Sequence, residues 1–122
     1  MAAHIEMGKK GEEIALQYLK GKGYTILDQN WRNNRYEIDI VAKEGSIVVI
    51  VEVKTRSANT MVDALLAIDT TKRRHLMRAA NAYLFSKKLN DEVRFDIITI
   101  GMGGKNPEIL HVPNAFYPTL RG

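Results

Sequence analysis

The sequence contains no cysteine and no long apolar run, and each absence excludes a class of protein. Without cysteine, the chain can carry neither a disulfide framework nor a thiolate metal site, and it has no cysteine nucleophile. No stretch approaches the ~18 apolar residues of a membrane span. The start, "MAAHIEMGKKGEE", lacks the basic-then-apolar pattern of a secretion signal. We therefore expect a cytoplasmic protein that does not enter a membrane.

Chain length and net charge indicate the number of domains and the class of partner. A chain of 122 residues can bury a core without disulfides or a structural metal, so we expect one domain over residues 1–122. The chain has 18 Lys and Arg against 14 Asp and Glu, a formal charge of +4. This excess suits a polyanionic partner such as nucleic acid, although mere solubility accounts for it equally well.

The pattern of apolar residues predicts seven elements in the order α-β-β-β-α-β-β. The expected helices cover residues 5–22 and about 70–89, the second capped by Thr70 or Thr71, and the expected strands cover residues 24–32, 36–43, 47–56, 93–100 and 108–112. The run "IVVIVEVKTR" is continuously apolar, which is typical of a central strand with both faces covered. The order indicates the α/β class, with helices flanking a mixed sheet.

Four charged side chains interrupt the apolar segment "EIDIVAKEGSIVVIVEVK". Because side chains alternate along a strand, Glu37 and Asp39 share a face of one strand, and Glu52 and Lys54 share a face of the next. Charges in a covered strand cost several kcal/mol unless they are compensated. The surplus of carboxylates favours a divalent cation, and hard oxygen ligands without cysteine favour Mg²⁺ or Mn²⁺ over zinc.

The turn between these strands decides whether the charged faces coincide. A two-residue loop at Glu44-Gly45 would place Asp39 opposite Ile50 and Glu37 opposite Glu52. Asp39 and Glu52 would then be diagonal neighbours about 7–8 Å apart, from which two carboxylates can reach one cation. The alternative is an ordinary salt-bridge cluster, pairing Glu52 with Lys54 or Arg56 and Asp39 with Arg35.

The spacing of Asp39, twelve intervening residues and then Glu52-Val53-Lys54 resembles the PD-(D/E)xK signature of restriction-endonuclease-like nucleases. The segments "GKKGEEIALQYLKGKGYTILDQNWR", "EIDIVAKEGSIVVIVEVKTR", "TKRRHLMRAANAYL", "RFDIITI" and "LHVPNAF" together resemble the YraN family of small bacterial proteins. This resemblance covers nearly the whole chain. It implies a restriction-endonuclease-like core and a metal-dependent endonuclease that hydrolyses phosphodiester bonds of DNA, including branched or single-stranded forms. A catalytically inactive nucleic-acid-binding module, acting with a partner enzyme, is the alternative.

The resemblance also implies roles for the charged residues of the two strands. Asp39 and Glu52 would bind Mg²⁺ or Mn²⁺, and the backbone carbonyl of Val53 would complete the protein ligands. Lys54 would orient the attacking water or stabilise charge on phosphorus. Glu37 is expected to have a structural role, paired with Lys54 or Arg35; the alternative is that it serves a second metal.

On the first helix, Glu12 is similar to the helix-borne glutamate of Holliday-junction-resolvase-like members. Gly8 and Gly11 flank it and would let that helix approach the sheet. The alternative is a partly exposed acid that happens to lie near the apolar stripe of the helix.

Basic and aromatic residues are the remaining candidates. The expected contacts with nucleic-acid phosphates are Lys72, Arg74, Arg78 and Arg56, although a solvated helix face explains such a run as well. Trp31 and Tyr36 could stack on bases, but Trp31 is expected in core or cleft-edge packing. Tyr36 stands where YraN-like proteins have glycine, which argues against close backbone approach of nucleic acid there. DNA is favoured over RNA as the partner, and a homodimer would help a small basic domain to grip two strands.

Overall fold

The structure is a computed structural model that describes residues 2–57 and 69–116, with side chains from residue 6 onward. The elements are α1 (Ala2–Gly21), β1 (Thr25–Asn33), β2 (Tyr36–Glu44), β3 (Ile47–Ser57), α2 (Thr70–Lys87), β4 (Glu92–Met102) and β5 (Glu108–Phe116). This order confirms the predicted α-β-β-β-α-β-β arrangement. The expected connection at residues 57–71 lies mostly outside the described residues. No helix in the described ranges is long and apolar enough to cross a membrane.

The five strands form one mixed sheet in the spatial order β1-β2-β3-β4-β5. Only the β3–β4 pair is parallel; the other three pairs are antiparallel. Val48 and Ile50 of β3 belong to the core that α2 covers, whereas Val49 and Val51 belong to the core that α1 covers. The third strand is therefore covered on both faces, as its apolar run predicts.

The β2–β3 hairpin differs from the predicted one by its loop position. Glu44 pairs with Ile47, so the two-residue loop is Gly45-Ser46 rather than Glu44-Gly45. Gly45 has a φ of 61° and Ser46 does not have positive φ, a combination that favours a type II′ turn with glycine first. The register consequently shifts by two residues, which preserves every side chain's face.

Two element ends also differ from the prediction. The cap of α2 is Asp69, not Thr70 or Thr71, because its carboxylate accepts a hydrogen bond from the Lys72 backbone N–H at 2.9 Å. Strand β5 continues past the predicted residue 112 to Phe116. It tolerates Pro113 because it is an edge strand, and Phe116 stacks on Phe95 with ring centroids 4.9 Å apart.

Asp96 lies on β4, beside the edge strand β5, and its carboxylate is fully buried. Arg94 donates two hydrogen bonds to it, at 2.9 and 3.0 Å, and His111 lies 2.7 Å away. The backbone N–H of Asn114 donates a further bond at 3.0 Å, which ties β5 to β4. Burial alone would raise the pKa of Asp96, but these hydrogen bonds outweigh it and hold the pKa below its ordinary value.

Helix α1 crosses β3 at a glycine. A Cβ at Gly11 would lie 1.9 Å from Thr55 Oγ1, whereas a Cβ at Gly8 would meet nothing within 4 Å. The expectation of a close helix approach is therefore right for Gly11 and wrong for Gly8. This contact sets the height of the Glu12 backbone above the sheet.

Gly11→Ala should lower the free energy of unfolding by about 1–3 kcal/mol, because α1 must move away from Thr55. Gly8→Ala is the matched control and should raise it by about 0.5–1 kcal/mol through helix propensity alone. Urea unfolding followed by circular dichroism measures both. Equal effects of the two substitutions would show that α1 does not rest on β3 at Thr55.

Candidate metal and nucleic-acid site

The site begins at Asp39, just beyond the last regular pair between β2 and β3. The β1–β2 ladder pairs Gln29 with Ile40 and Trp31 with Ile38, and Asn30 between them has a φ of 48°. Ile38 and Ile40 are two residues apart, yet they belong to cores on opposite faces of the sheet. The alternation therefore breaks at Asp39, and its carboxylate is not directed as in a regular strand.

Asp39 uses this break to reach the backbone of β3. Its Oδ2 accepts a hydrogen bond of 2.8 Å from the Val53 N–H. The regular β2–β3 ladder ends one step earlier, at Ile40 and Val51. Extending that register by one pair places Asp39 directly opposite Glu52, rather than diagonal to it as predicted. We refer to Asp39 and Glu52 as the acidic pair.

Glu52 is buried, with 8% of its surface exposed. Its Oε2 lies 2.9 Å from Nζ of Lys72 on α2. The salt-bridge alternative named Lys54 or Arg56 as its partner, and that assignment is wrong. Although the ammonium lies at ion-pair distance, Oε2 accepts no hydrogen bond and remains an unsatisfied buried acceptor.

A cavity of about 280 Å³ opens beside the acidic pair. It is lined by Arg35, Glu37, Asp39, Glu52, Val53, Lys54, Lys72 and His75. We call it the acidic cavity. It brings together the three residues of the predicted signature, Asp39, Glu52 and Lys54, from two neighbouring strands. It also contains Lys72, which was predicted only as a phosphate contact.

Two charged carboxylates at the acidic pair would be unfavourable, because they lie close together and are shielded from solvent. The pKa of Asp39 is raised to about 8, chiefly by burial and then by the hydrogen bond and the charge of the nearby Glu52 carboxylate; the Val53 N–H opposes this rise, and the more distant Glu12 adds to it. At neutral pH the pair therefore retains a proton unless positive charge is supplied. A divalent cation bound here would stabilise both carboxylates in their charged form.

Glu12 lies beside the site, in a second cavity of about 290 Å³ between α1 and β3. Val53 and Lys54 line both cavities, so the two adjoin at this point of β3. Burial raises the pKa of Glu12; a hydrogen bond with Asn30 opposes this, and Glu52 adds to it. Glu12 thus belongs to the electrostatic field of the acidic pair but lines the adjoining cavity.

The remaining predicted residues have varied surroundings. Glu37 is half-exposed and pairs with Arg32 at 3.4 Å, not with Lys54 or Arg35. The Arg35 guanidinium lies 5.8 Å from the centroid of the Tyr36 ring, which also meets the His75 ring at 5.5 Å. Tyr36 is therefore held at the rim of the acidic cavity by its neighbours.

Away from the acidic cavity, Trp31 meets Tyr83 edge-on, with centroids 5.2 Å apart, which confirms its expected packing role. Arg74 and Arg78 are exposed on α2. Arg56 is also exposed; it lines the second cavity and donates to the Thr55 carbonyl at 2.8 Å. These arginines are open to solvent, so their predicted phosphate contacts remain predictions.

The oxygen atoms around the acidic pair suit a hard divalent cation. Among the described residues, no three His, Asp or Glu side chains are grouped to hold an ion, so the side-chain ligands would be the acidic pair alone. The N–H and C=O of one strand residue point toward the same neighbour, and the Val53 N–H meets Asp39, so the Val53 carbonyl lies on that side too. Two carboxylates and a carbonyl suit Mg²⁺ or Mn²⁺, with water completing the shell.

Sequence reasoning missed Lys72 as the partner of Glu52 and Asn30 as the partner of Glu12. Twenty residues separate Lys72 from Glu52, and no local pattern connects them. A weak signal existed for Asn30, because asparagine is one of the few residues that adopts positive φ readily. Its position within a predicted strand concealed it.

Comparison with known sequences extends these observations. A family model described as "Uncharacterised protein family UPF0102" matches residues 11–100. A UPF0102 protein of Bacteroides thetaiotaomicron is 45% identical over 120 residues, covering 98% of this chain and 99% of the relative. Similar proteins from Flavobacterium psychrophilum and Thermodesulfovibrio yellowstonii are each 42% identical, covering 96% and 94% of this chain and 98% and 99% of the relatives. The similarity spans nearly the whole chain.

The raised pKa of Asp39 predicts how stability depends on pH in the absence of divalent ions. Between pH 3.8 and about 8 the folded protein holds a proton that the unfolded chain releases, so stability falls as pH rises through this range. Asp39→Asn keeps an acceptor for the Val53 N–H and removes the charge. It should flatten this dependence and, near pH 9, raise the free energy of unfolding by about 1–3 kcal/mol. Urea unfolding at a series of pH values measures it.

Asp91→Asn is the control, because Asp91 is a partly exposed carboxylate paired with Lys43 at 3.2 Å. It should bring no gain in stability at high pH. Parallel pH profiles for the parent and Asp39→Asn would contradict the burial of charge at the acidic pair.

Proposed function

This chain belongs to the uncharacterised protein family UPF0102, and from the geometry of its site we propose that it is a divalent-metal-dependent endonuclease that hydrolyses phosphodiester bonds of DNA. The observation that carries this proposal is the convergence of Asp39, Glu52 and Lys54 in one cavity. A sheet that served only to pack would gain nothing from two adjacent carboxylates whose burial raises a pKa to about 8.

The sheet supports the same proposal at the level of the fold. The mixed sheet carries the two acids on adjacent antiparallel strands, and a helix covers each of its faces. This arrangement agrees with the restriction-endonuclease-like core that the PD-(D/E)xK resemblance implies. Fold likeness alone does not define an activity, so the proposed activity depends on the residues of the acidic cavity.

The acidic pair and the Val53 carbonyl would hold Mg²⁺ or Mn²⁺. When bound, such an ion supplies the positive charge that polarises a phosphodiester and lowers the pKa of the attacking water. Asp39 is fixed for this role by its hydrogen bond to the Val53 N–H, which commits one of its two oxygens and orients the other. Preorganised carboxylates need no rearrangement before the substrate arrives.

Lys54 supplies the second electrostatic element. It is half-buried, lines both cavities and makes no ion pair with any residue of the described ranges. Its ammonium is thus available to a phosphate oxygen, where it would stabilise the negative charge that develops during phosphoryl transfer. Glu12, in the adjoining cavity, is placed to hold or accept a proton near the same phosphate.

DNA phosphates outside the cavity would meet the arginines of the surface. Arg74 and Arg78 are four residues apart on an exposed face of α2, one helical turn from each other. Lys72 and His75 of the same helix line the acidic cavity. A strand that follows α2 would therefore pass from the arginines into the cavity.

A second candidate function has its own supporting observation. Lys72 already neutralises Glu52 at 2.9 Å without any metal. A protein that only binds nucleic acid could use this ion pair to keep the cavity intact. The alternative is therefore a catalytically inactive nucleic-acid-binding module that acts with a partner enzyme.

Mn²⁺ titration with single-stranded, duplex and branched DNA should reveal metal-dependent cleavage. Asp39→Ala and Lys54→Ala should each reduce the rate by about 100-fold or more, because the first removes a ligand of the metal and the second removes positive charge complementary to the transition state. Asp91→Ala, which removes only a surface ion pair, should cleave like the parent. Variants as active as the parent would identify a contaminating nuclease. Tight binding without cleavage would favour the binding module instead.

The salt dependence of DNA binding tests the path along α2. Each phosphate contact contributes about 0.7–0.9 to the slope of log K against log salt, so Arg74→Ala with Arg78→Ala should lower that slope by about 1.4–1.8. Lys9→Ala with Lys20→Ala is the control, because these exposed lysines lie on α1 across the sheet. Equal slopes for the two double variants would place the nucleic acid elsewhere.

A further inference from the structure

Lys72 has an unusual position for a surface lysine. It lies in the first turn of α2, where its backbone N–H donates to the capping carboxylate of Asp69. Its side chain reaches back over the sheet, so that Nζ lies 2.9 Å from Oε2 of Glu52. The cap fixes the helix independently of this ion pair, so the side chain can move without displacing α2.

The two partners differ in exposure. The side chain of Lys72 is 42% exposed, whereas that of Glu52 is only 10% exposed. The carboxylate is therefore fixed within the sheet, and the ammonium approaches it from the solvent side. A lysine side chain is a flexible four-carbon stem with a compact charge, which can leave by rotation about its own bonds.

The charges of the acidic cavity give Lys72 a particular role. Of the cations that line it, Arg35 lies over the Tyr36 ring, and Lys54 makes no ion pair with a described residue. Lys72 alone among these described cations contacts the acidic pair directly. Burial would lower the pKa of Lys72, but Glu52 and Asp39 more than offset this and raise it, so the ammonium stays charged.

The oxygen that Lys72 faces belongs to one of the two carboxylates that would hold a metal. Glu52 Oε2 is buried and accepts no hydrogen bond, so it still lacks a partner of good geometry. A divalent ion at this oxygen and an ammonium at 2.9 Å from it would repel each other strongly. A divalent ion bound at this carboxylate would therefore favour withdrawal of the ammonium.

We propose that Lys72 is an exchangeable counter-ion: it neutralises Glu52 in the free protein, leaves when a divalent cation binds the acidic pair, and then contacts a substrate phosphate in the same cavity. This inference rests on the proposed function. It makes Lys72 a residue that changes partner between the free and loaded states. A purely structural ion pair, by contrast, would stay closed and would serve only to hold α2 against β3.

The affinity for Mn²⁺ distinguishes an exchangeable counter-ion from a purely structural ion pair. Electron paramagnetic resonance of free Mn²⁺ measures this affinity without any substrate. Lys72→Met should bind Mn²⁺ about tenfold tighter than the parent, because the competing charge is gone. Lys72→Arg, which keeps a cation, should not gain affinity.

Lys87→Met is a matched control on the same helix. Lys87 also pairs with a carboxylate, Asp28 at 3.6 Å, and its side chain is 45% exposed. It should leave Mn²⁺ affinity unchanged. Circular dichroism confirms that each variant is folded, and Lys72→Gln replaces Lys72→Met if the methionine variant does not fold.

Unchanged or weaker Mn²⁺ binding by folded Lys72→Met, with normal binding by the parent, would overturn the counter-ion role. That result would leave the proposed endonuclease standing. Absence of Mn²⁺ binding in both the parent and Lys72→Met would overturn the counter-ion role and the metal site together.

Discussion

The hydrogen bond between the Asp39 carboxylate and the Val53 N–H is the contact on which the site depends. It forms where the regular β2–β3 ladder ends. The Asp39 carboxylate there accepts from a backbone N–H that a backbone carbonyl would otherwise bind. Because Asp39 is fixed in this way, it stands beside the buried Glu52 despite their repulsion. The ammonium of Lys72 and the close approach of α1 at Gly11 then complete the surroundings of these two acids.

Two aspartates of this chain, the buried Asp96 and the half-buried Asp39, show how differently the same side chain can be used. Asp96 receives hydrogen bonds from Arg94 and the Asn114 N–H and lies against His111, and its pKa is lowered. Asp39 receives one backbone hydrogen bond beside another acid, and its pKa is raised. Asp96 therefore has all its partners within the fold and ties β4 to β5. Asp39, by contrast, lacks a positively charged partner of its own. Perturbation of this second kind is typical of sites that bind or react.

The sequence predicted the element order and the central position of β3, because apolar periodicity is a local property. The hairpin register was wrong by two residues, since a type II′ turn takes glycine first and the pattern alone did not choose between Glu44-Gly45 and Gly45-Ser46. Because that shift is even, Glu52 and Lys54 keep their face of β3, whereas the break in alternation at Asp39 was not predicted. Contacts between distant segments, such as Lys72 with Glu52, could not be predicted because no local spacing encodes them.

The central claim is that the acidic pair forms one place able to hold a divalent ion, and anomalous X-ray diffraction from crystals grown with Mn²⁺ tests it most directly. We predict a single strong anomalous peak within ligand distance of Asp39, Glu52 and the Val53 carbonyl, with Lys72 turned away from Glu52. A map with no peak at this position, with Lys72 still against Glu52 at saturating Mn²⁺, would contradict the account.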